Sequence, residues 1–222
     1  VARRIVPPLL VHQKGLVQEI VRILLPGFSL KPLVLRQGIN AGARATIIVL
    51  RLGATHSIIG KADTFLRSFF NKLTGAELFF KCENFQKMGA FKMRGATNAI
   101  LSLSQEERDK GVVTHSSGNF AQAVALSAKM TGTKATIVMP TSAPSIKKKA
   151  VLGYGANFVD CPPTQKDREE TAEKIRQEQG ATFLHPSNQI EVIEGNATAG
   201  MELLEQVDDL DAIFTPVGGG GL

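Results

Sequence analysis

Short apolar segments alternate with longer amphipathic segments from about Phe69 to the end of the chain, and this alternation limits the possible folds most strongly. The apolar segments predict strands at Leu78–Cys82, Val112–His115, Lys134–Met139, Asn157–Cys161, Thr182–Leu184 and Asp211–Val217. The predicted helices are Phe91–Leu103, a short helix from a Ser104–Glu107 capping box to Gly111, Phe120–Met130, Ser145–Leu152, Thr164–Gln179 and one around Thr198–Gln206. Strands that alternate with helices predict an α/β fold with a mostly parallel sheet.

Residues 1–62 differ in composition from the rest of the chain. They contain nine Lys or Arg and one acidic residue, Glu19, whereas the rest contains 17 basic and 19 acidic residues. Prolines interrupt their apolar runs and no helical or strand period persists, so we assign residues 1–63 to a basic segment outside the α/β pattern. A targeting peptide, a disordered tail and sequence that is not native to the protein are three open interpretations. Because the basic charge is confined to this segment, we expect no nucleic-acid partner.

The composition also argues against a membrane protein and a disulfide-rich secreted protein. No uncharged apolar run approaches the roughly 18 residues of a membrane span. Cys82 and Cys161 lie far apart in strand-like segments and match no metal-ligand spacing or disulfide framework. We therefore expect a cytoplasmic protein with no membrane partner and no metal ligands in this chain. Mitochondrial or plastid targeting by residues 1–62 is left open.

Two predicted loops follow strands and are suited to bind anions, because ligands in open α/β sheets lie beyond the carboxyl ends of the strands. The loop Ser116–Asn119 joins a strand to a helix, and its small residues allow an anion to approach the first helical N–H groups. A tight turn capped by Asn119 is the alternative. The loop Gly218–Gly221 follows an apolar strand directly, which favours backbone amides around a phosphate over a flexible linker.

Lys92 lies between Phe91 and Met93 at the predicted start of a helix. Most lysines are solvated surface charges. A desolvated lysine, however, loses its proton more readily and becomes a nucleophile towards a carbonyl group. Together with a phosphate loop and a carboxylate-sized anion loop, such a lysine is typical of a pyridoxal phosphate site.

Three segments, Phe80–Ala96, Thr114–Asn119 and Pro216–Leu222, resemble in order and spacing the serine racemase and serine/threonine dehydratase family. The resemblance covers about Phe69–Leu222. It implies the fold-type II architecture of pyridoxal phosphate enzymes, similar to the tryptophan synthase β subunit, with twisted, mostly parallel sheets and helices on both faces. It also implies a small domain over residues 111–186 that closes on a large domain. The large domain would comprise residues 64–110 and 187–222 and would be incomplete at its C-terminus.

The resemblance implies roles for residues of all three segments. Lys92 would form the Schiff base with pyridoxal 5′-phosphate and remove the substrate α-proton, while Ser117 would be the acid/base on the opposite face. Cofactor contacts are implied for Phe91, Lys92, Asn119, Gly218, Gly219, Gly220 and Gly221. Contacts with the substrate carboxylate are implied for Ser116, Ser117, Gly118 and Asn119.

The activity implied by the resemblance concerns a small amino acid such as L-serine or L-threonine. Ser117 favours a serine racemase with serine/threonine dehydratase (ammonia-lyase) activity, because dehydratases of the threonine-biosynthesis type usually have Ala there. The alternatives are a threonine or hydroxyaspartate dehydratase without racemase activity, and a non-catalytic fragment or pseudoenzyme of the family. The family also implies a homodimer and a divalent cation, Mg²⁺ or Ca²⁺, whose ligands would lie beyond Leu222.

The sequence departs from the family pattern at several positions. Phe120 stands where the family usually has His, and Gly195-Asn196-Ala197-Thr198 stands where it has Gly-Gln-Gly-Thr. Ser187 occupies a position where an aromatic or another polar residue is common. The family continues well beyond the counterpart of Leu222, so we expect the chain alone to be unstable or inactive with an uncovered apolar face.

Overall fold

The computed structural model describes residues 44–49, 68–69, 71–72, 75–215 and 222. These residues belong to two compact units. One unit comprises Glu83–Glu202 together with Leu222, and the other contains the described residues up to Cys82 together with residues 203–215. The predicted division into a small and a large domain stays a prediction. Among the described residues, no helix is both long enough and apolar enough to cross a bilayer.

The Glu83–Glu202 unit is built around a four-stranded parallel sheet. Its strands are β3 (Val112–His115), β4 (Ala135–Pro140), β5 (Asn157–Cys161) and β6 (Thr182–Phe183), in the order β5-β4-β3-β6. The helices are α1 (Lys92–Leu101), α2 (Gln105–Lys110), α3 (Asn119–Thr131), α4 (Ser145–Gly153), α5 (Gln165–Gln179) and α6 (Ile190–Gln206). All pairs in the sheet are parallel. The predicted α/β class with a mostly parallel sheet is therefore confirmed.

Helices cover both faces of this sheet. Neighbouring residues of a strand point to opposite sides, so each strand contributes side chains to the cores on both faces. Val112 of β3 joins a core with residues of α1 and α3, whereas the next residue, Val113, joins a second core with Ala172 and Ile175 of α5. Strand β4 is buried on both faces, since all six of its residues are buried. Such continuous burial explains why the strands of a parallel sheet have unbroken apolar sequences.

The second unit contains a three-stranded parallel sheet in the order β2-β1-β7. Its strands are β1 (Arg44–Val49), β2 (Glu77–Cys82) and β7 (Ala212–Phe214). Strand β1 lies between the other two and pairs in register from Arg44 with Glu77 to Val49 with Cys82. We had predicted no regular element before Leu78, so β1 is an addition that the residue pattern did not indicate.

Helix α6 begins eight residues earlier than the sequence predicts, at Ile190. Glycine lowers helix propensity by about 1 kcal/mol relative to alanine, and Gly195 lies within this segment. Packing overrides that preference: a Cβ atom added at Gly195 would lie 2.7 Å from the Arg94 carbonyl oxygen of α1. The glycine is therefore required by the close approach of two helices, and it obscured the helix in the sequence.

Candidate active site

A tight turn determines where α1 begins and therefore where Lys92 lies. The Gln86 side chain accepts a hydrogen bond from the Lys87 N–H at 2.9 Å. Met88 and Gly89 then adopt left-handed φ angles of 57° and 79°, a region that residues with a Cβ atom rarely occupy. The Met88 side chain packs against the core formed by Val112 and residues of α1 and α3, here called the main core, and this contact holds Met88 in its left-handed conformation. Lys92 follows as the first residue of α1.

The amine of Lys92 lies in a largely apolar environment. Its Nζ donates a hydrogen bond to the Pro186 carbonyl oxygen at 2.5 Å. It also lies 5.0 Å from the centroid of the Phe91 ring and 5.7 Å from that of Phe120. Desolvation by burial lowers the pKa of Lys92 below its ordinary value, because the ammonium form loses water. The structure thus supports an amine that deprotonates more readily than a surface lysine.

The loop after β3 is followed by Phe120, whose ring lies near the Lys92 amine. The Ser116 N–H donates to the Val138 carbonyl of β4 at 3.1 Å, and the Ser116 hydroxyl accepts from the Gly118 N–H at 3.3 Å. Helix α3 then begins at Asn119, and Phe120 follows in its first turn. The first N–H groups of a helix have no partner within that helix and favour an anion. Anion binding at this helix start, next to the residue that contacts Lys92, stays a prediction.

The roles predicted for the individual residues of this loop are not tested by the structure. Ser117 and Gly118 are half-buried, and Asn119 is exposed. The Asn119 side-chain oxygen accepts a hydrogen bond from Lys147 of α4 at 3.4 Å. The acid/base role of Ser117 and the cofactor contact of Asn119 stay predictions. Gly218–Gly221, predicted to bind phosphate, lies outside the described residues.

A second loop, 185–189, supplies the carbonyl group that Lys92 contacts. The His185 ring nitrogen Nδ1 accepts hydrogen bonds from the backbone N–H groups of Ser187 at 3.2 Å and Asn188 at 2.8 Å. The backbone N–H of His185 donates to the Gln189 side-chain oxygen at 3.0 Å. The loop is therefore folded around the His185 ring, whose Nδ1 accepts both hydrogen bonds. Sequence reasoning missed the Pro186 contact, because every residue has a backbone carbonyl group and the identity of the residue does not mark this one.

Arg94, two residues after Lys92, binds two carboxylates. Its Nε and Nη2 donate to Glu83 at 2.8 and 2.9 Å. Its Nη1 and Nη2 donate to Glu202 of α6 at 2.6 and 2.8 Å, and Nη1 also donates to the Thr198 hydroxyl at 3.0 Å. All five N–H donors of the guanidinium are thus used. These bonds raise the pKa of Arg94, so it stays charged and fastens α1 to α6.

The backbones of α1 and α6 touch beside this ion-pair network. The Asn196 side-chain oxygen accepts a hydrogen bond from the Gly95 N–H at 3.0 Å, and Asn196 is 1% exposed. A Cβ atom added at Gly95 would lie 2.5 Å from the Val192 carbonyl oxygen. Asn196 is one of the departures from the family pattern, and the structure places it directly against the helix that carries Lys92.

Metal-binding geometry is absent from the part of the chain that the structure describes. No group of three or more His, Cys, Asp or Glu side chains there is placed to hold an ion. Cys82 and Cys161 form no disulfide with a described residue, and burial raises the pKa of Cys161. The divalent cation implied by the sequence resemblance stays a prediction.

Comparisons with known proteins agree with the predicted family. The family model "Pyridoxal-phosphate dependent enzyme" matches residues 58–222. Over 164 residues the chain is 50% identical to serine racemase of Dictyostelium discoideum, which covers 74% of this chain and 51% of that protein. The crystal structure of that racemase superposes with a TM-score of 0.68 over 70% of this chain and 50% of the other.

Relatives with other names are similarly close. The chain is 51% identical over 154 residues to beta-hydroxyaspartate dehydratase of Paracoccus denitrificans, which covers 69% of this chain and 49% of that protein. The processed form of threonine deaminase isoform 2 from Solanum lycopersicum gives a TM-score of 0.67 at 39% identity, over 70% of this chain and 45% of the other. The chain spans about half the length of these relatives. The predicted family and fold type are confirmed.

Proposed function

Because the chain belongs to the pyridoxal-phosphate dependent enzyme family, we propose that it acts on a small hydroxy amino acid such as L-serine, by racemisation and by dehydration to a keto acid and ammonia. The observation that carries this proposal is the Lys92 amine, which is held against one carbonyl oxygen and two phenyl rings and has a lowered pKa. An amine that is partly desolvated in this way suits covalent attachment to an aldehyde.

The residues around Lys92 fit the cofactor that the family uses. Lys92 would bind its aldehyde carbon, the Phe91 ring would lie beside its ring, and Gly218–Gly221 would bind its phosphate. When bound, the cofactor supplies an electron sink that stabilises negative charge on the substrate α-carbon. The half-buried position of Lys92 on a helix start, close to Phe91, is the feature of this chain that supports such binding.

The proposed work of the chain's own residues is proton transfer and orientation. Lys92, once neutral, is the base that takes the α-proton on one face. The backbone amides and hydroxyls of Ser116–Asn119 hold the substrate carboxylate at the start of α3. Ser117 delivers a proton from the opposite face, which gives racemisation. Loss of the β-hydroxyl instead gives dehydration.

Dehydration of 3-hydroxyaspartate without racemisation is the second candidate activity. It is supported by the 51% identity to beta-hydroxyaspartate dehydratase, which is similar to the 50% identity to the Dictyostelium discoideum serine racemase. The two candidates share Lys92 and differ in the substrate β-substituent. Pyruvate and D-serine formed from L-serine, compared with oxaloacetate formed from 3-hydroxyaspartate, separate them. A homodimer of the complete protein is part of the proposal and awaits measurement of its mass in solution.

Borohydride trapping of the full chain tests the proposal. We expect the chain with pyridoxal phosphate to form a covalent bond that borohydride reduces and that mass spectrometry locates at Lys92. Lys92→Ala should abolish this product, whereas Lys87→Ala, at an exposed lysine five residues earlier, should retain it. A trapped product that persists in Lys92→Ala contradicts the assignment of Lys92.

The role of Ser117 has its own test. Ser117→Ala should abolish D-serine formation and spare pyruvate formation, because only racemisation requires a proton donor on the second face. Equal loss of both products would show that the two-face arrangement is wrong.

A further inference from the structure

Phe120 is buried in a position where its ring faces the Lys92 amine. It is 2% exposed and belongs to the main core of the Glu83–Glu202 unit. Its ring centroid lies 5.7 Å from Lys92 Nζ. Because it lies in the first turn of α3, directly after the Ser116–Asn119 loop, Phe120 connects that loop to the lysine.

We propose that Phe120 is a positioning residue for Lys92: with Phe91 it encloses the amine in an apolar pocket and directs it towards the Pro186 carbonyl oxygen. The proposal rests on the cofactor-binding role of Lys92 proposed above. It assigns a role to a position where this chain differs from the residue usual in the family, so the role concerns this chain in particular.

Two effects of a phenyl ring on an ammonium group oppose each other. The ring face attracts a cation, by about 0.5–1 kcal/mol at exposed sites and only within about 6 Å of the centroid. The ring also excludes water, which disfavours the charged form. At 5.7 Å the attraction is near its limit, and desolvation determines the lowered pKa of Lys92. The net effect of Phe120 is therefore to favour the neutral, nucleophilic amine.

The pair of Lys148 and Phe158 can be compared with the pair of Lys92 and Phe120, and it differs from that pair by a carboxylate. Lys148 Nζ lies 5.6 Å from the Phe158 ring centroid, almost the same distance. Lys148, however, also forms an ion pair with Asp160. The ion pairs among the described residues do not include Lys92. Nearly equal ring distances thus occur in two settings, and Lys92 is in the one without a carboxylate.

Other charged or titratable groups on the surrounding elements do not replace that carboxylate. Arg94 on α1 is bound by Glu83 and Glu202. His185 in the 185–189 loop accepts two backbone N–H groups, and Lys147 of α4 donates to Asn119. His115 at the end of β3 is buried beside the Phe183 ring, with centroids 5.4 Å apart. The apolar enclosure by Phe91 and Phe120 is therefore the main influence on the protonation of the Lys92 amine.

Competitive amine labelling across a pH series tests the proposal without cofactor. In the unmodified full chain, the labelling midpoint of Lys92 should lie below those of the exposed Lys87 and Lys129. Phe120→His introduces a polar ring of similar size. This variant and Phe120→Gln should both raise the Lys92 midpoint. Labelling at neutral pH should slow about tenfold for each pH unit by which the midpoint rises. Phe120→Leu stays apolar and should leave the midpoint unchanged. Phe158→His is the matched control and should also leave it unchanged.

The outcomes separate this proposal from the proposed function. If Lys92 labels with the same midpoint as the exposed lysines, or if neither polar variant moves it, the positioning role is wrong even where borohydride trapping succeeds at Lys92. If trapping fails but the midpoint shifts as expected, the cofactor assignment is wrong and the apolar pocket stands. If the polar variants do not fold, an ordinary Lys92 midpoint in the unmodified chain still overturns the proposal.

Discussion

Lys92 and Arg94 lie in the same turn of α1 and carry the same charge when protonated, yet their surroundings are opposite. Arg94 uses all five N–H donors, on two carboxylates and one hydroxyl. Lys92 has one hydrogen bond to a carbonyl oxygen and two phenyl rings nearby. Ion pairs raise the pKa of Arg94, whereas burial lowers that of Lys92. The turn therefore carries one cation that is held by ion pairs and one amine that deprotonates more readily than a surface lysine.

The chemistry of the two side chains explains the division. A guanidinium stays charged and binds carboxylates in a bidentate manner, while an ammonium group changes its pKa readily when it is buried. Arg94 holds the start of α1 to Glu83 and to α6, so the backbone that carries Lys92 is fixed by strong contacts next to it. The lysine can then be left with few partners without losing its position.

The largest expected effect comes from removing the guanidinium. Arg94→Gln should lower the free energy of unfolding by about 3–5 kcal/mol, because it leaves the Glu83 carboxylate, 3% exposed, buried without its cation. Urea denaturation followed by circular dichroism measures the change. The expected loss is a large fraction of the roughly 5–15 kcal/mol that stabilises an ordinary domain.

An exposed ion pair in the same chain provides the control for this prediction. Arg176 of α5 also binds a glutamate, Glu173, through two nitrogen atoms, at 2.6 and 2.8 Å, but both side chains are exposed to solvent. Arg176→Gln should lower stability far less than Arg94→Gln does, because water screens an ion pair on the surface. Similar losses for the two variants would contradict the view that burial makes the Arg94 contacts important.

The sequence predicted the two cations of α1 unequally, and the reason is physical. Lys92 is a predicted cofactor residue because its flanking residues and two separate loops indicate a cofactor site, although the Pro186 carbonyl that it contacts has no sequence signal. Arg94 received no role, since its partners Glu83 and Glu202 lie 11 and 108 residues away and nothing local pairs them. A local signal predicted well: the Ser104 capping box is present.

Asn196 provides the next test of how firmly α1 is held. Asn196→Ala should destabilise the chain by about 1–3 kcal/mol, because the buried Gly95 N–H loses the oxygen to which it donates at 3.0 Å. Thermal or urea unfolding measures the loss. Asn188→Ala, at an exposed asparagine, is the control and should change stability by less than about 0.5 kcal/mol. A neutral Asn196→Ala would mean that the Arg94 contacts alone hold α1.

The smallest effect concerns Lys92 itself and depends on pH. Its pKa in the folded chain is lowered from the ordinary 10.5. Below the folded-state pKa both states are protonated, and the folded chain bears the full cost of burying an ammonium group. As the pH rises from that value to 10.5, the folded state loses the proton first and the cost disappears. The stability of the wild-type chain should therefore rise relative to Lys92→Met across this interval.

Urea unfolding of wild type and Lys92→Met at a series of pH values up to about 11 measures this slope. The difference should change by less than about 1.4 kcal/mol per unit of lowering, because water screens a half-buried amine. Other groups titrate in both proteins and cancel, and Arg94 stays protonated throughout because its ion pairs raise its pKa. A difference that is flat with pH would show that Lys92 is hydrated like a surface lysine, and the contrast between the two cations of α1 would then reduce to their hydrogen bonds alone.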